Sequence, residues 1–169
     1  MWLNRRMPLT VVSRPPPAPG KDYRIRPLKR GDKDALFRLL ADDGWLVPAS
    51  DQETVLSWVV QHPEMESFVA HHASSYGSVF AVLTLSHRPQ LRLGGRLACI
   101  DLFAVEKGER GKGVGSDLLQ QALRRAQALG CRRIELRLPG PRDDRHDFFE
   151  EHGFAHGGDA LYVRRLNAL

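Results

Sequence analysis

The chain has 169 residues, of which 42% are hydrophobic, and its formal net charge is +5 at pH 7. This length suits one domain with a full hydrophobic core, and the composition is that of an ordinary globular protein. No apolar stretch approaches the roughly 20 residues that cross a bilayer, so we expect no membrane span. The two cysteines, Cys99 and Cys131, form neither a disulfide framework nor a metal-ligand pattern. We therefore expect a cytoplasmic protein without a metal site.

The first 20 residues are basic and proline-rich, and they end in the run P-P-P-A-P-G at 15–20. Because such a run favours an extended chain over a packed element, we predict a disordered tail at 1–20 and a single domain over 21–169. The apolar run at 9–12 is too short for a secretory signal. A basic arm is one way to bind nucleic acid, but no nucleic-acid motif follows it, so we expect no nucleic-acid partner.

The first half of the chain predicts two helices after an initial strand. Residues 23–27 alternate between polar and apolar side chains, which is typical of a strand. Asp32 is expected to cap a first helix, which Gly44 ends. Ser50, followed three residues later by Glu53, forms a capping-box pattern and predicts the start of a second helix.

The middle of the chain predicts three strands. The apolar runs at 67–71 and 79–85 flank a turn at 74–77, which is the pattern of an antiparallel hairpin. Residues 97–105 are almost continuously apolar. A strand of this kind is expected to be covered on both faces.

The last third of the chain predicts two further helices and two further strands. An apolar stripe with helical spacing runs over 114–129, and Gly130 follows it as the helix terminator. Alternation at 133–138 predicts a strand. A short helix is predicted at 144–152, and a final strand at 160–166.

A basic, glycine-rich turn leads from the predicted strand at 97–105 into the helix at 114–129. It consists of Arg110, Gly111, Lys112, Gly113, Val114, Gly115 and Ser116. Glycines let backbone N–H groups approach a phosphate, and the first turn of a helix leaves N–H groups without helical partners. The segment matches neither the P-loop nor the dinucleotide-binding pattern G-x-G-x-x-G. It therefore predicts a site for a phosphate-bearing ligand of another class.

The same turn resembles the signature of a known family. R-G-K-G-V-G at 110–115 matches the R/Q-x-x-G-x-G/A signature of the GNAT superfamily of acyl-CoA-dependent N-acetyltransferases. The predicted order β-α-α-β-β-β-α-β-α-β is that of the GNAT fold, and F-F-E-E-H-G-F at 148–154 is similar to the family motif F-Y-E-x-x-G-F. The resemblance covers 22–166. It implies an α/β (α+β) fold with a mixed, mostly antiparallel sheet of about six strands, about four flanking helices, and a splay between strands four and five.

The resemblance also implies acetyl-coenzyme A (acetyl-CoA) as co-substrate, with no metal. The turn at 110–116 would hold the pyrophosphate of coenzyme A (CoA), chiefly through backbone N–H groups. The pantetheine arm would enter the splayed gap beside Phe103, Ala104 and Val105. The same resemblance assigns Phe149 to the cofactor site.

Asp101 is the candidate base for an attacking amine. It lies four residues before Val105, where many members of the family carry a glutamate. Strand alternation would place its side chain on the face of Cys99 and Phe103, and burial there would raise its pKa. The alternatives are a carboxylate paired with an arginine, or one that faces water.

Phe149 and His146 leave the acid step open. Phe149 stands where the family commonly has a tyrosine that protonates the leaving thiolate. Water or another residue would then protonate the thiolate, or the thiolate would leave without an acid. A non-catalytic acyl-CoA-binding module is the alternative to an enzyme. His146 lies one helical turn before Phe149 and is a second catalytic candidate, with helix capping as its alternative.

The segment at 142–149 bears on the acceptor. It resembles the R-x-D-A-H-x-F-Y pattern of aminoalkylphosphonate-type acetyltransferases, although Arg145 replaces the small residue of that pattern. The resemblance implies a small-molecule amine as the acceptor. A protein amine as acceptor and a homodimeric assembly stay open.

Overall fold

The structure, a computed structural model, describes residues 21–74, 78–138, 143–155 and 157. The chain forms two compact units, which separate between Leu136 and Arg137. The predicted tail at 1–20, most of the predicted turn at 74–77 and the predicted last strand at 160–166 lie outside the described residues. These three features, like the single domain, stay predictions.

The first unit is built on a five-stranded sheet in which each strand pairs with the next one along the chain. Its strands are β1 (Tyr23–Pro27), β2 (Met65–His72), β3 (Val79–Gln90), β4 (Gly95–Val105) and β5 (Cys131–Leu136). The first three pairings are antiparallel, and β4 pairs with β5 in parallel. The sheet is therefore mixed and mostly antiparallel, which confirms the predicted fold class.

Helices cover both faces of this sheet. They are α1 (Lys33–Asp42), α2 (Ala49–Gln61) and α3 (Val114–Ala128). The apolar side chains of α1 and α2 share one core cluster with Val82 and Ala104, whereas α3 contacts β2, β3, β4 and β5. Val82 and its neighbour Leu83 are each 0% exposed. Because successive strand residues point to opposite faces, both faces of the sheet are buried at the centre of β3.

The strands from β2 to β5 differ in extent from the predictions, and β3 and β5 differ most. β3 continues to Gln90, beyond the predicted 79–85, because its end pairs with the beginning of β4 in one long hairpin in which Gln90 lies opposite Gly95. β5 begins at Cys131, before the predicted 133–138. Gly130, with φ 73°, turns the chain from α3 directly into this strand.

The predicted cap by Asp32 is wrong in its contacts, although the residue does stand at the N-cap of α1. Its carboxylate makes no capping bond to the helix. It accepts two hydrogen bonds of 2.7 Å from the Arg26 guanidinium and one of 2.9 Å from the Lys29 N–H. Burial alone would raise the pKa of Asp32, but these bonds outweigh burial and hold the pKa below its usual 3.8. A charged partner on β1 has therefore displaced the local cap.

The predicted capping box of the second helix is also wrong. α2 begins at Ala49, with Pro48 at its N-cap, so Ser50 lies inside the first turn. The Ser50 hydroxyl bonds to the Asp51 carboxylate at 2.9 Å instead of to the helix backbone. Glu53 pairs with Lys33 at 3.4 Å. Because the helix starts earlier than the pattern indicates, neither side chain stands in a capping position.

Candidate functional site

Asp101 lies where β4 departs from the regular pairing of the sheet. On the β3 side, the register runs from Thr84 opposite Leu102 to Leu85 opposite Ile100. Asp101 is therefore an extra residue on β4, which is the pattern of a β-bulge. On the β5 side, pairing among the described residues ends at Ile100 opposite Leu136, while β4 continues to Val105. Asp101 is thus the first residue of β4 beyond β5, at the splay that the sequence predicts.

The bulge overturns two expectations about the Asp101 side chain. Asp101 is exposed, so the expected burial is wrong. Nor can it share a face with both Cys99 and Phe103, because Cys99 lies opposite Ser86 and Phe103 lies opposite Leu83. Ser86 and Leu83 point to opposite faces of β3. One extra residue in β4 reverses which face of the sheet each later side chain of the strand points to, and no local sequence pattern predicts this bulge.

The glycine-rich turn presents backbone N–H groups to open space. Gly111 and Gly113 have φ values of 77° and 84°, a left-handed conformation that favours glycine. A Cβ added at either position would meet nothing within 4 Å. The first helical bond of α3 runs from Asp117 N–H to Gly113 carbonyl at 3.1 Å, so the N–H groups of Val114 and Gly115 precede it. Such a helix start fits an anion.

The two cations of the turn are already paired with carboxylates. Arg110 donates from Nε to the Val105 carbonyl at 2.9 Å and from Nη2 to the Asp43 carboxylate at 2.8 Å. Lys112 donates to Glu109 at 3.1 Å. The Lys112–Glu109 pair has a spacing of three residues that sequence analysis could have found. Asp43 lies 67 residues from Arg110 in the chain, so only the fold brings it there.

A third carboxylate near the start of α3 is paired with residues at and just before the start of β1. Asp117, in the first turn of α3, accepts hydrogen bonds from Lys21 at 2.5 Å and from the Tyr23 hydroxyl at 2.7 Å. Burial alone would raise the pKa of Asp117, but the bonds from Lys21 and Tyr23 outweigh it and hold the pKa below 3.8. No sequence pattern predicts this contact, since Lys21 and Asp117 are 96 residues apart in the chain.

A cavity of about 330 Å³ adjoins the turn. Asp42 and Asp43, at the end of α1, line one side, and Val105, Lys107 and Arg110 line the other. The turn, the end of β4 and the end of α1 thus form one surface. The sequence predicted the first two of these elements as a site, but not the third.

The second unit contains α4 (Asp144–Glu151). His146 Nδ1 accepts the Asp143 backbone N–H at 3.1 Å, while the Asp143 carboxylate accepts the Arg145 backbone N–H at 3.0 Å. The side-chain bond from Arg145 lowers the pKa of Asp143 to about 2. His146 therefore caps its own helix, as its alternative reading predicts. Phe149 is buried, with its ring edge-to-face against Phe148.

The described residues contain neither a candidate metal site nor a candidate membrane-spanning helix. No group of three or more His, Cys, Asp or Glu side chains in this part of the chain is arranged to hold a metal ion. Nor does any described helix combine the length and the apolar character needed to cross a membrane.

The sequence of this chain is similar to sequences of known acetyltransferases. The model of the "Acetyltransferase (GNAT) family" matches residues 33–154. The chain is 46% identical over 54 residues to the Bacillus subtilis (strain 168) protein named "Putative phosphinothricin acetyltransferase YwnH". That match covers 32% of this chain and 33% of the relative, so it spans only a third of the relative's length.

Solved structures share the fold over most of the chain. A transcriptional regulator from Bacillus halodurans C-125 has a TM-score of 0.75 at 24% identity, covering 85% of this chain and 99% of that one. An acetyltransferase from Trypanosoma brucei has a TM-score of 0.72 at 18% identity, covering 85% and 100%. At these identities the likeness shows the fold alone. Because the family model spans well over half of the sequence, the chain belongs to the acetyltransferase (GNAT) family, a family of acyltransferases.

Proposed function

We propose that this protein is an N-acetyltransferase that moves the acetyl group of acetyl-CoA to the primary amine of a small molecule. The observation that carries the proposal is the continuity of β4. Within one strand and the turn after it, the chain provides an exposed carboxylate at a bulge, a splayed strand edge and a glycine-rich helix start. In acetyl-CoA the thioester and the pyrophosphate lie at the two ends of the pantetheine arm, so one bound molecule would contact all three features.

The turn would hold the pyrophosphate of CoA. The N–H groups of Val114 and Gly115 precede the first helical bond, and the open space at Gly111 and Gly113 lets an anion approach the backbone. A helix start favours a negative charge by about 0.3–1 kcal/mol at an exposed site. The pantetheine arm would run along β4 from Val105 toward Asp101, where β5 no longer pairs.

Asp101 would take the proton of the acceptor. As the neutral amine attacks the thioester carbonyl, the C–N bond forms and the C–S bond breaks, and the proton leaves the new ammonium for the Asp101 carboxylate. Asp101 is exposed, so it can pass this proton to water. Phe149 has no proton to give to the thiolate, but a thiol with a pKa near 8.5 is an adequate leaving group without an acid. His146, whose Nδ1 caps α4, is assigned no step here.

The acceptor class rests on the relative that is named as a phosphinothricin acetyltransferase, a small-molecule enzyme by that name. A second candidate function, acyl-CoA binding without catalysis, is favoured by Phe149. The two functions differ in one measurement, since both require CoA binding but only the enzyme releases free thiol when amines are added.

The test begins with isothermal titration of acetyl-CoA and continues with thiol release over a panel of small amines and amine-bearing peptides. We expect micromolar binding and turnover with a small amine. Asp101→Asn should lower kcat by about a hundredfold at neutral pH. Asp34→Asn, an exposed carboxylate on α1, is the matched control and should leave kcat unchanged. Absence of binding would reject both functions, and binding without turnover would leave the binding module.

A further inference from the structure

We propose that Arg110 is a positioning residue, which shapes the CoA-binding turn by tying the end of β4 to Asp43 at the end of α1 rather than by contacting the phosphate. The inference rests on the proposed function, because it concerns the same turn. It adds a role for Asp43, which no sequence motif includes.

The Arg110 side chain joins three elements. Its Nε donates to the carbonyl of Val105, the last residue of β4, at 2.9 Å. Its Nη2 donates to the carboxylate of Asp43 at 2.8 Å. A planar guanidinium suits two acceptors held at a fixed separation, which a lysine ammonium does not reproduce. Arg110 itself begins the glycine-rich turn, so its side chain fixes where that turn starts.

Asp43 is a firm anchor for this contact. It is the C-cap of α1, and its backbone N–H bonds to the carbonyls of Leu39 and Leu40, both at 3.2 Å. Leu39 and Leu40 are buried in the core shared by α1 and α2. The backbone of Asp43 is therefore held against the core of the unit. Through its contact with the Asp43 carboxylate, Arg110 positions the turn relative to that core.

By charge alone, the Asp43 carboxylate would weaken the binding of CoA to the turn. A negative charge beside a pyrophosphate site repels the ligand, so removing it should tighten binding. A carboxylate that positions Arg110 predicts the opposite sign, because its loss releases the turn. The sign of the change in CoA affinity therefore separates the two explanations.

Asp42 provides a matched control. It adjoins Asp43 in the chain, lines the same cavity and is exposed. Among the described residues its carboxylate makes no hydrogen bond or ion pair, whereas the Asp43 carboxylate accepts a bond from Arg110. Replacing either by alanine removes one negative charge at a similar distance from the turn, but only one replacement removes the contact.

The experiment measures the dissociation constant of CoA by isothermal titration for the full chain and its variants. We expect Asp43→Ala to weaken binding about tenfold, the effect of losing a hydrogen bond to a charged group, while Asp42→Ala leaves it unchanged or tightens it. Arg110→Lys should weaken binding to a similar extent, and the double variant Arg110→Lys/Asp43→Ala should be no weaker than either single one. In turnover assays the effect should appear in KM for acetyl-CoA and not in kcat.

Other outcomes would overturn the inference. If Asp43→Ala binds CoA as tightly as the wild-type chain or more tightly, the carboxylate does not position the turn. If Arg110→Lys and Asp43→Ala add their effects, the two residues act separately. Thermal melts of all variants show whether each is folded, and Arg110→Lys carries the test where Asp43→Ala does not fold. Failure of the wild-type chain to bind CoA would reject the proposed function itself, a result distinct from these.

Discussion

The two ends of β4 both carry charged side chains, but they use them differently. At its C-terminal end, the side chains of Arg110 and Lys112 are 51% and 58% exposed, and each is paired with a carboxylate at the surface. At its N-terminal end, Arg96 donates to Nδ1 of His87 at 2.7 Å and lies 3.5 Å from Glu64, and His87 is only 6% exposed. The exposed pairs contribute little to stability, whereas loss of the buried contact leaves a buried acceptor without its donor.

The pKa of His87 reflects its burial at the N-terminal end of β4. Burial, together with the positive charge of Arg96, lowers the pKa of His87 below its usual 6.5, while Glu66 and Glu64 act in the opposite direction. Arg125 of α3 also lowers it and is itself held by Glu66 at 2.6 Å. This end therefore links β2, β3, β4 and α3 in the folded state. We infer that it serves stability and that the C-terminal end serves binding.

The largest expected effect follows from removing the centre of the N-terminal cluster. Arg96→Ala leaves the buried His87 Nδ1 and the Glu64 carboxylate without their donor, and should lower the free energy of unfolding by about 2 kcal/mol. Urea denaturation measures this change. The control is Arg88→Ala on β3, an exposed side chain whose loss should be nearly neutral. Since the cluster lies at the opposite end of β4 from the turn, CoA affinity should not change, and a large loss of affinity would contradict the division between the two ends.

At the C-terminal end, Gly113→Ala tests the left-handed helix start. A non-glycine residue at φ 84° is strained by about 1–2 kcal/mol, and relief of the strain moves the N–H groups that follow. We expect CoA affinity to fall about tenfold, as measured by isothermal titration. Gly108→Ala is the control, because Gly108 has no positive φ and an added Cβ there meets open space. Equal affinities of the two variants would show that the conformation of the turn does not determine binding.

The lowered pKa of His87 predicts a pH dependence of stability. Between its folded pKa and 6.5, the unfolded chain binds a proton that the folded chain does not, so stability is full above pH 6.5 and falls as the pH drops below it. One proton contributes at most about 1.4 kcal/mol per pH unit. Asp32 and Asp117 act in a lower window, because their contributions are lost only as the pH falls below 3.8.

Denaturation curves at pH 7, 6 and 5 measure this slope. His87→Gln keeps an acceptor for Arg96 but does not titrate, so its stability should be flatter over that range. His62→Gln replaces an exposed histidine of the same unit and should keep the wild-type slope. A wild-type slope in His87→Gln would assign the pH dependence to another group.

The smallest expected effect concerns Lys112. Its pair with Glu109 is largely exposed, so Lys112→Gln should change stability by less than about 1 kcal/mol. Its CoA affinity should fall modestly at low salt and less at high salt, because an exposed charge is screened. Titrations at two ionic strengths check this. A stability loss comparable to that of Arg96→Ala would show that the charged pairs at both ends of β4 stabilise the fold to a similar extent.

Local sequence patterns predicted the helices, the strands and the glycine-rich turn well, because each depends on residues within a few positions. Positive φ at Gly111 and Gly113 and the helix after them are features of this kind. One error arose where a distant group competed with a local one. Asp32 has the residue type of a helix cap, but Arg26 on the neighbouring strand takes its carboxylate.

By itself, the sequence determined the order of the described elements, the fold class and the glycine-rich helix start at Arg110–Ser116, since hydrophobic periodicity and glycine positions are local features of the chain. The tertiary structure decided which charges meet and where each side chain points. Asp43 reaches Arg110 across 67 residues, and one extra residue in β4 exposes Asp101 instead of burying it. Contacts across the sheet and a bulge between two strands depend on pairing register, which is a property of the folded chain and not of any segment.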